Sequence, residues 1–256
     1  MIRRTEPEGK ANMIYLVLIC LSIGSVDYDE ISARLHLDTG MAYLQQGLLS
    51  QAEEEFNEAL DSGSGCHSAI LGLGMVSMRR SSWDTAAGYF REYMSLCPED
   101  HRGFLELSKL YMETGRMDSA AIMADSAYLR APTEPEIWLQ CGSAYYELGD
   151  MTSAEGWFLR GVEKQGELFL ESLVRLASVY RRTERGQEAR ELLIPAVENG
   201  YAPAAWELAR VYLGWGDYMR AEEAIGQYLM LAPDGYYADS AALVLEELAE
   251  SGDYIR

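Results

Sequence analysis

Residues Trp138–Val162 read WLQCGSAYYELGDMTSAEGWFLRGV. Apolar positions recur with a period near 3.6 on both sides of Gly149 and Asp150, the pattern of two helices joined by a short turn. Small residues stand inside both halves, at Gly142 and Ala154. Tyr145 follows the first by three positions and Phe158 follows the second by four. Glycine inside a helix weakens it by roughly 0.5–1 kcal/mol relative to alanine, so its presence is explained by packing: it lets a second helix come close. Tyr145 and Phe158 are the bulky groups expected around that contact, and Gly149 is the turn between the helices.

The same columns return along the chain. Stepping back by 34 from Ala154 gives Ala120, Ala86 and Ala52, while Phe158 is matched by Phe90 and Phe56, with Ala124 in the third unit. Gly142 is matched by Gly74 and Gly40, with Ser108 between them. Tyr145 is matched by Tyr111 and Tyr43, with Ser77 as the exception. Gly149 is matched by Gly115 and Gly47, with Ser81 as the exception. Pro98 and Pro132 close successive units at the same spacing, as residues that stop a helix should. Beyond Phe158 the steps become 35 and 32, through Tyr180 and Tyr212, Ala189 and Ala221, to Gly216 and Pro233.

Self-similarity at a fixed period marks a repeat array, in which each unit buries its apolar face on its neighbours. The spacing predicts an all-α array of six helix pairs over residues 33–234. A linker over 25–32 precedes it, and a capping helix and tail over 235–256 follow.

The columns W-x2-L-G-x2-Y…A-x3-F…P resemble the tetratricopeptide repeat. Cys141 stands in place of the leucine, and Gly166 in place of one closing proline. The resemblance spans residues 33–234, and GYAPAAWELARVYLGWGD (residues 200–217) is similar to the Sel1-type variant of the same helix pair. It implies a right-handed superhelical solenoid whose first helices line a concave groove. It also implies a non-catalytic scaffold that binds a peptide or a partner's helix there. On that geometry the groove set is Met41, Met75, Met78 and Met112, with Tyr146 and Trp206 as aromatic anchors. Arg79, Lys109, Arg181 and Arg210 form a basic edge that would select acidic residues in the partner. Methionine is soft and adaptable, which suits a variable apolar partner. The alternative use of these methionines is packing between neighbouring first helices.

Whole-chain chemistry narrows the function classes. Twenty-one Lys and Arg against 41 Asp and Glu give a net charge of -20, which repels phosphate backbones, so no nucleic-acid partner is expected. The cysteines at Cys20, Cys66, Cys97 and Cys141 form no CxxC pair, and His67 and His101, at matching positions of neighbouring units, have no third ligand beside them. No metal or other cofactor is expected, and Cys141 reads as a small core residue. No paired carboxylates, nucleophile–base set or phosphate-binding loop stands outside the repeats, so the chain is not expected to be an enzyme.

Residues 1–24 differ from the rest. Arg3, Arg4 and Lys10 precede MIYLVLICLSIG (residues 13–24), too short to cross a bilayer, which takes about 20 apolar residues. The run does match the core of a secretory signal peptide, and Ser22 and Gly24 supply a small-x-small cleavage pattern. The expectation is a scaffold of the bacterial envelope, periplasmic or secreted. The alternatives are a cytoplasmic adaptor whose first segment is an ordinary buried helix, or a structural subunit of an envelope or secretion assembly. A membrane anchor through Cys20 is disfavoured by Ile19, since lipid-attachment signals want a small residue there.

Overall fold

The structure, a computed structural model, describes residues 28–62, 67–164 and 168–251. Among them are thirteen α-helices and no strand. The leader with Cys20 and its expected cleavage site lies outside the described residues, as do Cys66 and Gly166. The chain divides into two compact units, residues 1–96 and 97–256.

The first unit holds two helix pairs, α1 (Tyr28–Gln45) with α2 (Leu49–Asp61) and α3 (Ser68–Arg79) with α4 (Trp83–Leu96). The second holds four pairs: α5 (Arg102–Glu113) with α6 (Met117–Arg130), α7 (Pro135–Leu148) with α8 (Met151–Lys164), α9 (Phe169–Arg182) with α10 (Gly186–Glu198), and α11 (Ala202–Gly214) with α12 (Tyr218–Leu231). A single helix, α13 (Ala238–Ser251), follows. Helix α1 begins at Tyr28, so residues 28–32, read from the sequence as linker, are helical.

The small residues do what their spacing predicts, in a more specific form. A methyl group built on Gly142 would lie 2.5 Å from the ring of Phe158, and one on Gly40 would lie 2.7 Å from Phe56. Gly74 and Phe90 repeat the contact. Each phenylalanine of a second helix is therefore seated on the bare backbone of the first, and all three rings are fully buried. The third pair exchanges the sizes. Ser108 stands in the glycine column and Ala124 in the phenylalanine column, and the buried Ser108 hydroxyl donates to the Ala120 carbonyl at 2.8 Å. In the last two pairs the columns read Ala177 with Leu193 and Ala209 with Ile225, all fully buried. As the small residue grows the large one shrinks, which is what a close-packed interior requires.

Tyr145 packs, partly buried, on the core that holds Ala154 and Phe158, as its position suggested, and it has a second duty. Its hydroxyl donates to Asp125 Oδ2 at 2.7 Å, tying α7 to α6 of the preceding pair. That bond, with some burial, pushes the phenol up to about 12.

The turns within all six pairs close alike. Gly47, Ser81, Gly115, Gly149, Glu184 and Gly216 adopt positive φ, between 57° and 89°. The amide after each donates to a carbonyl one full turn back. The pairs are Leu48 to Tyr43, Ser82 to Ser77, Arg116 to Tyr111, Asp150 to Tyr145, Arg185 to Tyr180 and Asp217 to Tyr212. This six-to-one closure satisfies carbonyls that a helix end would otherwise leave orphaned. The tyrosine column thus supplies the acceptor carbonyl in five of the six turns.

Ser81 and Glu184 hold a conformation that costs a residue with a Cβ roughly 1–2 kcal/mol. Ser81→Gly and Glu184→Gly are each expected to stabilise the protein by about 0.5–1 kcal/mol, after allowing for the larger entropy of an unfolded glycine. Thermal unfolding of the two single variants measures this, and a lowered melting temperature in either would contradict the turn geometry.

Candidate binding cleft

Within residues 97–256 the first helices of successive pairs pack on one another, α5 on α7, α7 on α9 and α9 on α11. Each buries its small-residue face against its own second helix. The residues around the other side of each first helix come together across the stack. There they wall a cleft of about 780 Å³. Met112 and Glu113 come from the end of α5, Tyr146 and Glu147 from the end of α7, Glu171 and Arg175 from α9, and Trp206 and Arg210 from α11. Tyr236 and Tyr237, in the segment before α13, complete the lining. A second depression of about 550 Å³ is lined by Glu134, Glu136, Leu139 and Leu168 and shares Glu171 with the first.

The aromatic residues divide into wall and rim. Trp206 is only 9% exposed and stacks on Tyr237, with ring centroids 5.5 Å apart and planes 16° from parallel. The Tyr237 amide donates to the Tyr228 hydroxyl at 2.8 Å, which fixes the covering ring. Trp206 is therefore part of the cleft wall and does not protrude as the anchor expected from its position. Tyr236, by contrast, is 92% exposed, edge-on to Tyr237 at 4.8 Å. Tyr146 is half-buried and carries the Arg182 guanidinium 4.7 Å over its ring. Burial pushes the Tyr201 phenol up; the nearby Glu171 charge adds to this and Arg175 opposes it, so these three groups share one corner of the cleft.

Three of the four cations of the expected basic edge are paired within the chain. Lys109 Nζ lies 2.7 Å from Glu106 and 2.7 Å from Glu136. Burial alone would depress its pKa, but the two carboxylates hold it above the ordinary lysine value. Arg181 Nε lies 2.7 Å from Glu207 Oε1, and Arg210 Nη1 lies 3.0 Å from Glu207 Oε2. Glu207, 3% exposed, is thus clamped between two guanidinium groups. Lys109 and Arg181 are not in the cleft lining, and Arg210 is there with part of its charge committed. The acids responsible, Glu106 and Glu207, stand three residues before Lys109 and Arg210, at the spacing that brings helix side chains together.

The candidates in residues 1–96 separate in the same way. Met41 and Met75 pack, partly buried, on the core of Leu44, Phe56 and Leu73, which is drawn from α1, α2 and α3. Met78 is half-buried and Arg79 exposed. Elsewhere, Cys141 is fully buried, and burial followed by the Asp125 charge pushes its thiol up to about 12, so it is inert as a nucleophile. His67 and His101 stand at the N-caps of α3 and α5. Among the described residues no group of three or more His, Cys, Asp or Glu is placed to hold a metal ion, and no helix is long and apolar enough to cross a membrane.

The tetratricopeptide repeat pattern matches residues 37–101 and 105–167, together half of the chain. The chain belongs to the tetratricopeptide-repeat family. Solved structures with the same fold include the APC/C heterotetramer Cut9–Hcn1, at 19% identity over 90% of this chain, with a TM-score of 0.68. The repeat protein spans 45% of that chain's length, less than half. PilW, described as a widely conserved type IV pilus biogenesis factor, is 18% identical over 82% of this chain and 98% of its own, with a TM-score of 0.67. YrrB, described as a TPR protein with an unusual peptide-binding site, is 15% identical over 73% of this chain and 97% of its own, with a TM-score of 0.54. At these identities the likeness concerns the fold. Repeats of this family bind other proteins or peptides, and the repeat proteins are generally non-catalytic scaffolds.

Proposed function

We propose that the repeat protein is a non-catalytic scaffold that holds a segment of another protein in the cleft of residues 97–256. The observation that carries the reading is the cleft itself. Its 780 Å³ lie open along stacked first helices and offer Met112, Tyr146 and Tyr236 as apolar contacts. Glutamates and arginines stand among them in the lining. That is the surface of a side-chain-reading site. YrrB, with the same fold, is described as having a peptide-binding site, which agrees with this use.

Photo-cross-linking in the native host tests it. A benzophenone side chain placed at Tyr146 or Tyr236 should capture a protein partner, and one placed at Glu58 or Glu222 should not. Capture of the same partner from all four positions would remove the cleft as the binding surface.

The proposal extends to location. The apolar run of residues 13–24 behind Arg3, Arg4 and Lys10 supports an exported scaffold of the cell envelope. PilW, of the same fold, is described as a pilus biogenesis factor. A mature N-terminus at Ser25, read by mass spectrometry of the native protein, is the expected result. A chain that retains Met1 or Met13 would place it with the cytoplasmic adaptors.

A further inference from the structure

The cleft and the depression beside it are unevenly charged. Glu113, Glu134, Glu147 and Glu171 line them and enter no ion pair among the described residues. Arg210, by contrast, shares Glu207 with Arg181, and Lys109 is held by Glu106 and Glu136 just outside the lining. Arg175 is the lining cation outside any ion pair among the described residues, and it stands one helical turn after Glu171 on α9. The cleft and the depression thus present more open carboxylate than open guanidinium, within a chain whose net charge is already -20. Glu113 and Glu147 follow Met112 and Tyr146 directly at the ends of α5 and α7, so acid and apolar contact alternate along that rim. The Tyr146 ring already carries Arg182, whereas Tyr236 stands 92% exposed with its ring open to a cation.

Resting on the cleft reading above, we propose that the bound segment is basic: an extended stretch in which lysines or arginines alternate with apolar side chains. The apolar residues would meet Met112, Tyr146 and Tyr236, and the cations would meet Glu147, Glu171 and the Tyr236 ring. An acidic segment, the partner suggested by the cations in sequence, would meet carboxylates at both rims. Long-range attraction by the rest of the acidic chain would raise its capture rate for such a basic partner and make that rate sensitive to salt.

A displayed library of random dodecapeptides, selected on the full chain, tests the proposal. The enriched peptides are then measured by fluorescence anisotropy against three variants. Enrichment of lysine and arginine is expected, with affinity falling about 10-fold in Glu147→Gln/Glu171→Gln. Met112→Ser/Tyr236→Ser should weaken binding as well. Glu54→Gln/Glu58→Gln, which removes the same charge elsewhere, should bind as the parent does. If the charge pairs 147/171 and 54/58 weaken binding equally, the attraction is general and the proposal fails. If enriched peptides are acidic or neutral yet bind less well to Met112→Ser/Tyr236→Ser, the basic partner is wrong and the cleft reading stands. If no peptide is enriched, or all variants bind as the parent does, the cleft reading itself falls.

Discussion

Phe158→Ala is expected to lower the stability of the second unit by about 3–5 kcal/mol, the range for removing a fully buried aromatic ring. The ring of Phe158 rests on Gly142 and is fully buried. Gly142→Ser alone is expected to cost about 1–3 kcal/mol, because its side chain would be driven into that ring. The informative variant is the double one. Gly142→Ser with Phe158→Ala reproduces the Ser108 and Ala124 arrangement that the third pair uses natively. It should be more stable than the sum of the two single losses predicts, by at least about 1 kcal/mol of coupling. Urea unfolding followed by tryptophan fluorescence reads mainly this region, since four of the five tryptophans, Trp138, Trp157, Trp206 and Trp215, lie in residues 97–256 and Trp83 alone lies outside it. Strict additivity would show that the two columns do not compensate one another in size.

The second large effect is at Glu207. Glu207→Leu is expected to destabilise the same unit by about 2–4 kcal/mol, because it leaves Arg181 without its counter-ion in a largely buried place. Arg181 Nη2 already lacks a hydrogen-bond partner among the described residues, so little remains to hold that charge once Glu207 is gone. Arg181→Met in the Glu207→Leu background should recover most of the loss, since a pair of apolar side chains replaces a buried ion pair at little net cost. If Glu207→Leu unfolds at the parent's urea midpoint, the clamp contributes nothing to stability and this account of Glu207 is wrong.

The fold was legible because its constraints are local in sequence. A glycine that must admit a ring, and a turn residue at positive φ, each fix one residue type at one position, and a period of 34 repeats them. Where the requirement can be met by another combination, the pattern goes quiet: Ala177 with Leu193 does the work of Gly142 with Phe158, but it looks like ordinary helix. Glu184 takes the turn position with no glycine to announce it, at the point where the spacing slips to 35. The cleft was legible only in part. Met112, Tyr146, Trp206 and Arg210 sit on first helices, where the register could place them, and all four line it. Tyr236 and Tyr237 come from a segment outside the repeat period, so no column pointed to them. Charge was the least legible feature, because its value at a site depends on pairing. A count of arginines on one face says nothing of Glu207 beneath them.

The most direct test of the cleft uses the methionines already present. With their methyl groups labelled for NMR, Met112 and Met117 report from the cleft lining, while Met219 and Met230, 73% and 75% exposed on α12, report from outside it. Titration with a peptide enriched on the full chain should shift the Met112 and Met117 signals to saturation and leave Met219 and Met230 in place. Saturable shifts at Met219 or Met230, with Met112 and Met117 unmoved, would contradict the account.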